Sequence, residues 1–187
     1  MTPQTDPAAP TTSPALPHVR PRADPDLDAC VQVLAAVHAH DGYPVNWPLR
    51  PREWLAGTAQ SGAWVAELDG AVVGHIGLAR ADDGDAAPGL FSSRTGMSTA
   101  ETAVVSRLFV SPDARGHRIG ALLLEHAVRE AHGLGLHPVL DVVATDTAAA
   151  ALYERQGWEL LATTEQQWAP GRTVVLHSYA AGRDGDA

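Results

Sequence analysis

Residues 102–143 carry the pattern that most limits the fold. Residues 102–110 are an apolar, valine-rich run that Ser111 and Pro112 end. Ile119, Leu122, Leu123, Ala127 and Ala131 then recur at helical spacing until Gly133-Leu134-Gly135. A second buried run follows at 138–143. Strand, helix and strand in direct succession predict a parallel pair joined by a right-handed crossover. A helix at 146–156, with Thr145 or Asp146 as its cap and Gly157 at its C-terminal cap, and a strand at 158–162 repeat the passage. The fold class expected is α/β (α+β mixed).

The rest of the chain supplies shorter elements. Residues 18–22 read as extended. Asp24 is expected to cap a helix with Pro25 at its first position, and Leu27, Val31, Leu34 and Val37 carry that helix to about His40. Pro51 starts a short second helix through Trp54 and Leu55. Residues 63–68 and 71–78 are strand-like and separated by Asp69-Gly70, a strong hairpin signal. Residues 80–100 are polar, small and glycine-rich, and are expected to form a long loop. A last strand is expected at 174–179. The 187 residues fit one domain, predicted at 18–180, of a size that buries roughly 70% of its unfolded surface. The proline-rich residues 1–17 read as a disordered tail and 181–187 as a flexible C-terminus.

Composition narrows the partners. The formal charge of −9 and the lack of clustered Lys and Arg argue against nucleic acid. No apolar run approaches the ~20 residues of a membrane helix, and the N-terminus lacks the order of a secretory signal. A soluble, cytoplasmic protein with no membrane partner is expected. The one cysteine, Cys30, sits among apolar helix residues and is read as core. The nine histidines show no ligand spacing: His38 and His40 face different ways, His126 and His132 lack companions, and His75 lies on a strand, so no metal is expected.

The chemistry concentrates in residues 108–120, LFVSPDARGHRIG. A strand ends, a loop carries Arg115, Gly116, His117 and Arg118, and a helix opens at Ile119-Gly120-Ala121. Unpaired first-turn N–H groups and the helix dipole make such a junction an anion site, and Arg115 or Arg118 adds charge. An ordinary strand–helix turn is the other reading of the same residues. Neither G-x-x-x-x-G-K-S/T nor G-x-G-x-x-G is present, which sets aside a P-loop nucleotide hydrolase and a dinucleotide fold.

Residues 108–112 followed by Arg115-Gly116-His117-Arg118-Ile119-Gly120 resemble the acetyl-CoA signature of the GCN5-related N-acetyltransferases, Gln/Arg-x-x-Gly-x-Gly/Ala. Arg115 and Gly120 fill its ends, and Arg118 stands where the middle glycine usually falls. Residues 146–158, DTAAAALYERQGW, resemble the same family's Asn-x-x-Ala-x-x-x-Tyr-x-x-x-Gly-Phe helix, with Asp146 for Asn and Trp158 for Phe. The resemblance implies a splayed mixed sheet flanked by helices, open between the strands at 102–110 and 138–143. It implies pantetheine against the main chain of Leu108, Phe109 and Val110. It implies the pyrophosphate of acetyl-CoA on amides of Arg115, Gly116, His117, Arg118, Ile119, Gly120 and Ala121, with Asp146 and Tyr153 completing the cofactor site. Tyr153 corresponds to the family's tyrosine beside the thioester sulfur and is the implied acid; Val110 N–H is the implied oxyanion donor.

The base has no clear candidate. Relatives place a Glu where Val104 stands, and Glu101 reads as a solvated edge residue. Ser106 shares strand parity with Leu108 and Val110 and could hold a water that relays the proton. The acceptor pocket is expected from the first two helices and the long loop, with Asp41, Tyr43, Asn46, Trp47 and Trp54 around their connection. Aromatics with an acid suit a cationic amine; Trp47 and Trp54 equally read as packing residues. The expected function is acetyl transfer from acetyl-CoA to a primary amine of a small-molecule or peptide acceptor, in a monomer or homodimer. The alternatives are a non-catalytic acetyl-CoA sensor and an acyltransferase with another donor or an oxygen acceptor.

Overall fold

The computed structural model describes residues 16–57 and 61–182. The expected tail therefore lies outside the described residues except for Leu16 and Pro17, and the expected flexible C-terminus except for Ala181 and Gly182. The elements are β1 (His18–Pro21), α1 (Leu27–Asp41), α2 (Pro51–Ala56), β2 (Gly62–Leu68), β3 (Ala71–Arg80), α3 (Ala87–Thr95), β4 (Thr102–Val110), α4 (Ile119–Gly133), β5 (His137–Val143), α5 (Thr147–Arg155), β6 (Glu159–Ala169) and β7 (Arg172–Ala180). The strands form one seven-stranded mixed sheet in the order β1-β2-β3-β4-β5-β7-β6. Asp69 (φ 53°) and Gly70 (φ 78°) are both left-handed, as the two-residue turn between β2 and β3 requires.

Two layers of helix cover the sheet. Leu27, Cys30, Leu34 and Val37 of α1 and Leu55 of α2 pack on Val65 and Phe109. On the same face Ala87 and Phe91 of α3 cover Val104 and Val139. On the other face Ile119, Leu123, Leu124, Ala127 and Ala131 of α4, with Tyr153 of α5, pack on Ile76, Leu78, Val105 and Leu140. Cys30 is fully buried, and burial pushes its thiol up to about 11.

Several elements differ from their sequence readings. Asp24 does not cap α1. Residues Asp24–Asp26 form a 3₁₀ turn, and it is Asp26 that closes it, accepting from Ala23 N–H at 2.7 Å while Arg20 holds its other oxygen. The expected loop at 80–100 contains α3 and a 3₁₀ turn at Thr99–Glu101. Gly89, Ser92 and Ser93 give α3 little intrinsic helix propensity. It is instead held by burial of Phe91 and by Asp141, whose Oδ2 accepts from Ala86 N–H (2.8 Å) and Ala87 N–H (3.1 Å). Glu101 is part of a capping box, its carboxylate accepting from Ser98 N–H at 2.8 Å. The second strand–helix–strand passage makes no parallel pair, because β7 inserts antiparallel between β5 and β6. The last two strands are longer than expected and form a hairpin around Pro170-Gly171.

Candidate active site at the splayed strands

The parallel pair opens after three residues. β4 and β5 pair at Thr102↔His137, Ala103↔Pro138 and Val104↔Val139, and β4 then continues to Val110 without a partner on that side. A bulge accompanies the opening: His75 faces Phe109 but Gly77 faces Ser106, so β4 holds one extra residue, and Arg107 takes a left-handed φ of 53°. The expected parity of Ser106 with Leu108 and Val110 is therefore wrong. Leu108 and Val110 pack with Val105 beneath α4, whereas alternation leaves Ser106 on the face of Val104. Ser111 N–H donates to Val73 O at 2.7 Å, so the preceding N–H, that of Val110, turns away from β3 into the gap.

A buried network fixes the bulge. Arg22 Nη1 donates to His75 Nε2 (2.9 Å) and to Leu55 O (2.8 Å). Nε2 being the acceptor, His75 Nδ1–H donates to the carbonyl of Arg107 at 2.9 Å. Burial lowers the His75 pKa to about 4, so the ring is neutral and this tautomer is held.

Beyond the gap the chain enters α4 through Gly116 (φ 87°) and Arg118 (φ 57°). Arg118 occupies the left-handed conformation that glycine usually supplies, with its side chain exposed to solvent. No side chain caps α4, and its first helical bond runs from Leu122 N–H to Arg118 O. The preceding amides, including those of Ile119, Gly120 and Ala121, lack helical partners. They face a groove of about 550 Å³ between α4 and α5. A Cβ on Gly120 would stand 3.2 Å from Leu152, so the bare glycine lets the two helices approach. His117 Nδ1 lies 3.2 Å from Ala114 O within the loop. Arg115 pairs with Asp41 at the end of α1, which holds the Asp41 carboxyl below its usual range.

The groove continues into a cleft of about 480 Å³ over Leu108, Phe109 and Val110, closed on the far side by α5. Asp146 caps α5, accepting from Ala149 N–H at 3.0 Å, and so sets the helix against the gap. Tyr153 is buried, with ring centroids 5.9 Å from Trp158 and 5.8 Å from Tyr179. Burial raises its phenol pKa, which keeps it protonated at neutral pH. Tyr153 also lines a second cleft, of about 440 Å³, on the other side of the gap.

Two of the expected acceptor residues lie elsewhere. Tyr43, Asn46 and Trp54 line the second cleft. Asp41 faces the first cleft and is engaged by Arg115, and Trp47 packs on His38 at 5.1 Å, about 40% exposed. The β6–β7 hairpin, absent from the expected lining, contributes Gln166, Trp168 and Leu176, and Arg172 ties it to Asn46 at 2.6 Å. Asp85, before α3, and Arg107 complete the walls. Ser106 also lines this cleft, and its Oγ is buried with no hydrogen-bond partner among the described residues.

Residues 32–158 match the model of the acetyltransferase (GNAT) family, a segment that contains β4 and β5, the phosphate-type loop and Tyr153 but not the β6–β7 hairpin. The chain belongs to the GNAT family. It is 32% identical over 122 residues to the Xenopus tropicalis protein named "Probable N-acetyltransferase camello", a match covering 62% of this chain and 48% of that protein. The chain thus spans about half the length of the curated relative it matches. The structure of yncA from Salmonella typhimurium with its cofactor acetyl-CoA superposes with a TM-score of 0.69 at 20% identity, over 91% of this chain and 96% of that one. The ribosomal-protein-alanine N-acetyltransferase of Brucella melitensis gives 0.65 at 24% identity, over 87% and 98%. These structures share the GNAT fold.

Within that fold, sequence reasoning missed Asp85, Arg107 and the hairpin residues. Asp85 and Arg107 sit at a loop and a bulge, where periodicity carries no information. The alternation of β6 is mostly exposed and polar, so only its first residues read as strand. Among the described residues no group of three or more His, Cys, Asp or Glu is placed to hold a metal, and no helix is long and apolar enough to cross a membrane.

Proposed function

We propose that this chain is an acetyl-CoA-dependent N-acetyltransferase that moves an acetyl group directly onto a primary amine of a small acceptor. The observation that carries the reading is the meeting of two clefts at Tyr153, one edged by free main-chain amides and the other by side chains. Acetyl-CoA, when bound, supplies an acetyl group on a thioester that an amine can attack. The uncapped α4 amides and Arg115 suit its pyrophosphate, and the unpaired edge of residues 108–110 suits its amide-bearing arm. Val110 N–H, turned into the gap, stabilises negative charge on the carbonyl oxygen. Tyr153, a phenol that is protonated at neutral pH, gives its proton to the sulfur as the C–S bond breaks and the N–C bond forms. The amine's own proton leaves to water in the cleft that Ser106 lines, and a proton from that water returns the phenol to its starting state. The reading places the reaction in the cytoplasm, where a lone thiol such as Cys30 stays reduced.

A second reading, a non-catalytic acetyl-CoA sensor, is favoured by Val104. The position where relatives hold a carboxylate is apolar, 6% exposed, and covered by α3. Thiol release from acetyl-CoA with a broad set of primary amines separates the two. Amine-dependent release supports the transferase; tight acetyl-CoA binding with no release for any amine supports the sensor.

A further inference from the structure

The acceptor cleft holds a charge that its own walls leave unanswered. Arg107, at the bulge of β4, lays its guanidinium over the ring of Trp54, 4.3 Å from the centroid. A guanidinium stacked by its face keeps its N–H edge for acceptors in the plane. Among the described residues Arg107 forms no ion pair, and its Nη1 is buried with no hydrogen-bond partner. A cation half removed from water without a partner is costly unless something else supplies the anion. The nearby Arg22 is committed to His75 and Leu55 O, so Arg107 is the cation left to the cleft.

The acids of the cleft are differently placed. Asp141 spends both oxygens on Ala86, Ala87 and Ser178. Asp146 caps α5. Asp85 accepts from Asp82 N–H at 2.8 Å, and burial raises its pKa, so an ammonium beside it would stabilise its charged form. The cleft therefore offers an anion seat at Arg107 and an ammonium seat on the side of Asp85.

Resting on the acetyltransferase reading above, we infer that Arg107 anchors a carboxylate of the acceptor, and that the acceptor is an amino-acid-sized amine carrying its own carboxylate. The chemistry selects this class. A single planar guanidinium, held in orientation by Trp54, matches a carboxylate through two parallel N–H···O bonds. A cleft of about 440 Å³ admits a small zwitterion. A simple cationic amine could use the Asp85 side but would leave Arg107 without an anion and add a second positive charge to the cleft. Arg107 adjoins Leu108, which borders both clefts, so a carboxylate on Arg107 keeps an α-amine beside the junction where Tyr153 stands.

The test is binding of the common L-amino acids, each beside its carboxamide and its decarboxylated amine, to the full chain in the presence of CoA, by calorimetry. The result expected is a preference of about 10- to 100-fold for the carboxylate member of at least one set, the range for one charge-assisted contact. Arg107→Gln removes that preference and Arg107→Lys retains part of it, with CoA affinity reporting that each variant is folded. Equal binding of acids and carboxamides, no amino-acid binding at all, or an unchanged preference in a folded Arg107→Gln overturns the inference. If neither variant folds, the wild-type sets decide. Thiol release is read separately. An acid that binds with the preference but accepts no acetyl group counts against the transferase reading and leaves the carboxylate anchor standing.

Discussion

The two clefts that meet at Tyr153 are built by different means. The first is made of backbone: the unpaired edge of residues 108–110, the free amides at the start of α4, and the capped start of α5. Most of it comes from two continuous segments that share one sheet gap, with the end of α1 and the residues after it as a further wall. The second is made of side chains from the α1–α2 connection, the approach to α3, the bulge of β4 and the β6–β7 hairpin. Backbone donors are the same whatever the residue, so the first cleft is a general receptor for a ligand of fixed shape and charge. Side chains differ from chain to chain, so on the proposed function the second is where acceptor choice would reside. The boundary between them is the bulge at Arg107, whose carbonyl is tied to His75 and whose guanidinium is turned to Trp54.

The sharpest way to break this division is at the residue common to both clefts. Tyr153→Phe keeps the ring between Trp158 and Tyr179 and removes only the proton. If Tyr153 is the acid, single-turnover acetyl transfer falls by about 10²–10⁴-fold while CoA affinity changes little. A variant with full single-turnover rate would make Tyr153 a packing residue and leave the two clefts without a shared catalytic group.

The next test concerns the boundary. His75 is fully buried and its ring is neutral, with a pKa of about 4. In the unfolded chain the ring takes a proton below about pH 6.5. Between these values the unfolded state binds more protons, so stability rises with pH and is lost on acidification. The expected loss between pH 6.5 and 4 is about 3 kcal/mol. His126, also lowered by burial, adds a smaller contribution of the same sign. Urea unfolding across this window checks it. His75→Gln is expected to be less stable throughout but flatter with pH, and an unchanged slope would show that another group sets the acid sensitivity.

The same division explains which parts could be read before the structure. The backbone cleft was legible because its determinants are contiguous: Arg115 to Gly120 on one turn, Asp146 to Tyr153 on one helix. Periodicity gave the order of most strands and helices, whereas the splayed mixed sheet flanked by helices was implied by the family resemblance. α3 was not legible, because its stability comes from Asp141, more than fifty residues away, and from burial of a lone Phe91. The side-chain cleft was half legible for the same reason. Tyr43, Asn46 and Trp54 cluster in sequence, whereas Asp85, Arg107 and Trp168 meet them only through the splay and the hairpin. Parity failed at Ser106 because one inserted residue in β4 shifts every side chain beyond it to the other face.

A smaller effect is expected within the backbone cleft. Arg118 holds a left-handed conformation that costs a residue with a Cβ about 1–2 kcal/mol, part of which glycine returns as extra freedom of the unfolded chain. Arg118→Gly should therefore stabilise by up to about 1 kcal/mol, a rise in Tm of about 2–4 °C. With its side chain exposed, acetyl-CoA affinity should shift little at physiological salt. A fall in Tm would mean that the guanidinium makes a contact that outweighs its backbone strain.

The smallest effect joins the two regions directly. Arg115 of the phosphate-type loop pairs with Asp41 at the end of α1, and both side chains are partly exposed, so the pair itself is worth about 1 kcal/mol or less. Asp41→Asn should lower Tm by no more than a few degrees. Its effect on cofactor binding has the opposite sign. If Arg115 exchanges Asp41 for a phosphate oxygen when acetyl-CoA binds, wild type must first break the ion pair, and the variant need not. Acetyl-CoA should then bind Asp41→Asn a few-fold more tightly at low salt, with the advantage fading as ionic strength rises. Weaker binding in the variant would mean instead that Asp41 holds Arg115 in its productive orientation, so that a residue of the acceptor-side helix helps to shape the cofactor site. Affinity measured for wild type and variant at two salt concentrations distinguishes exchange from positioning, because removing a competing charge and removing a positioning contact move the affinity in opposite directions.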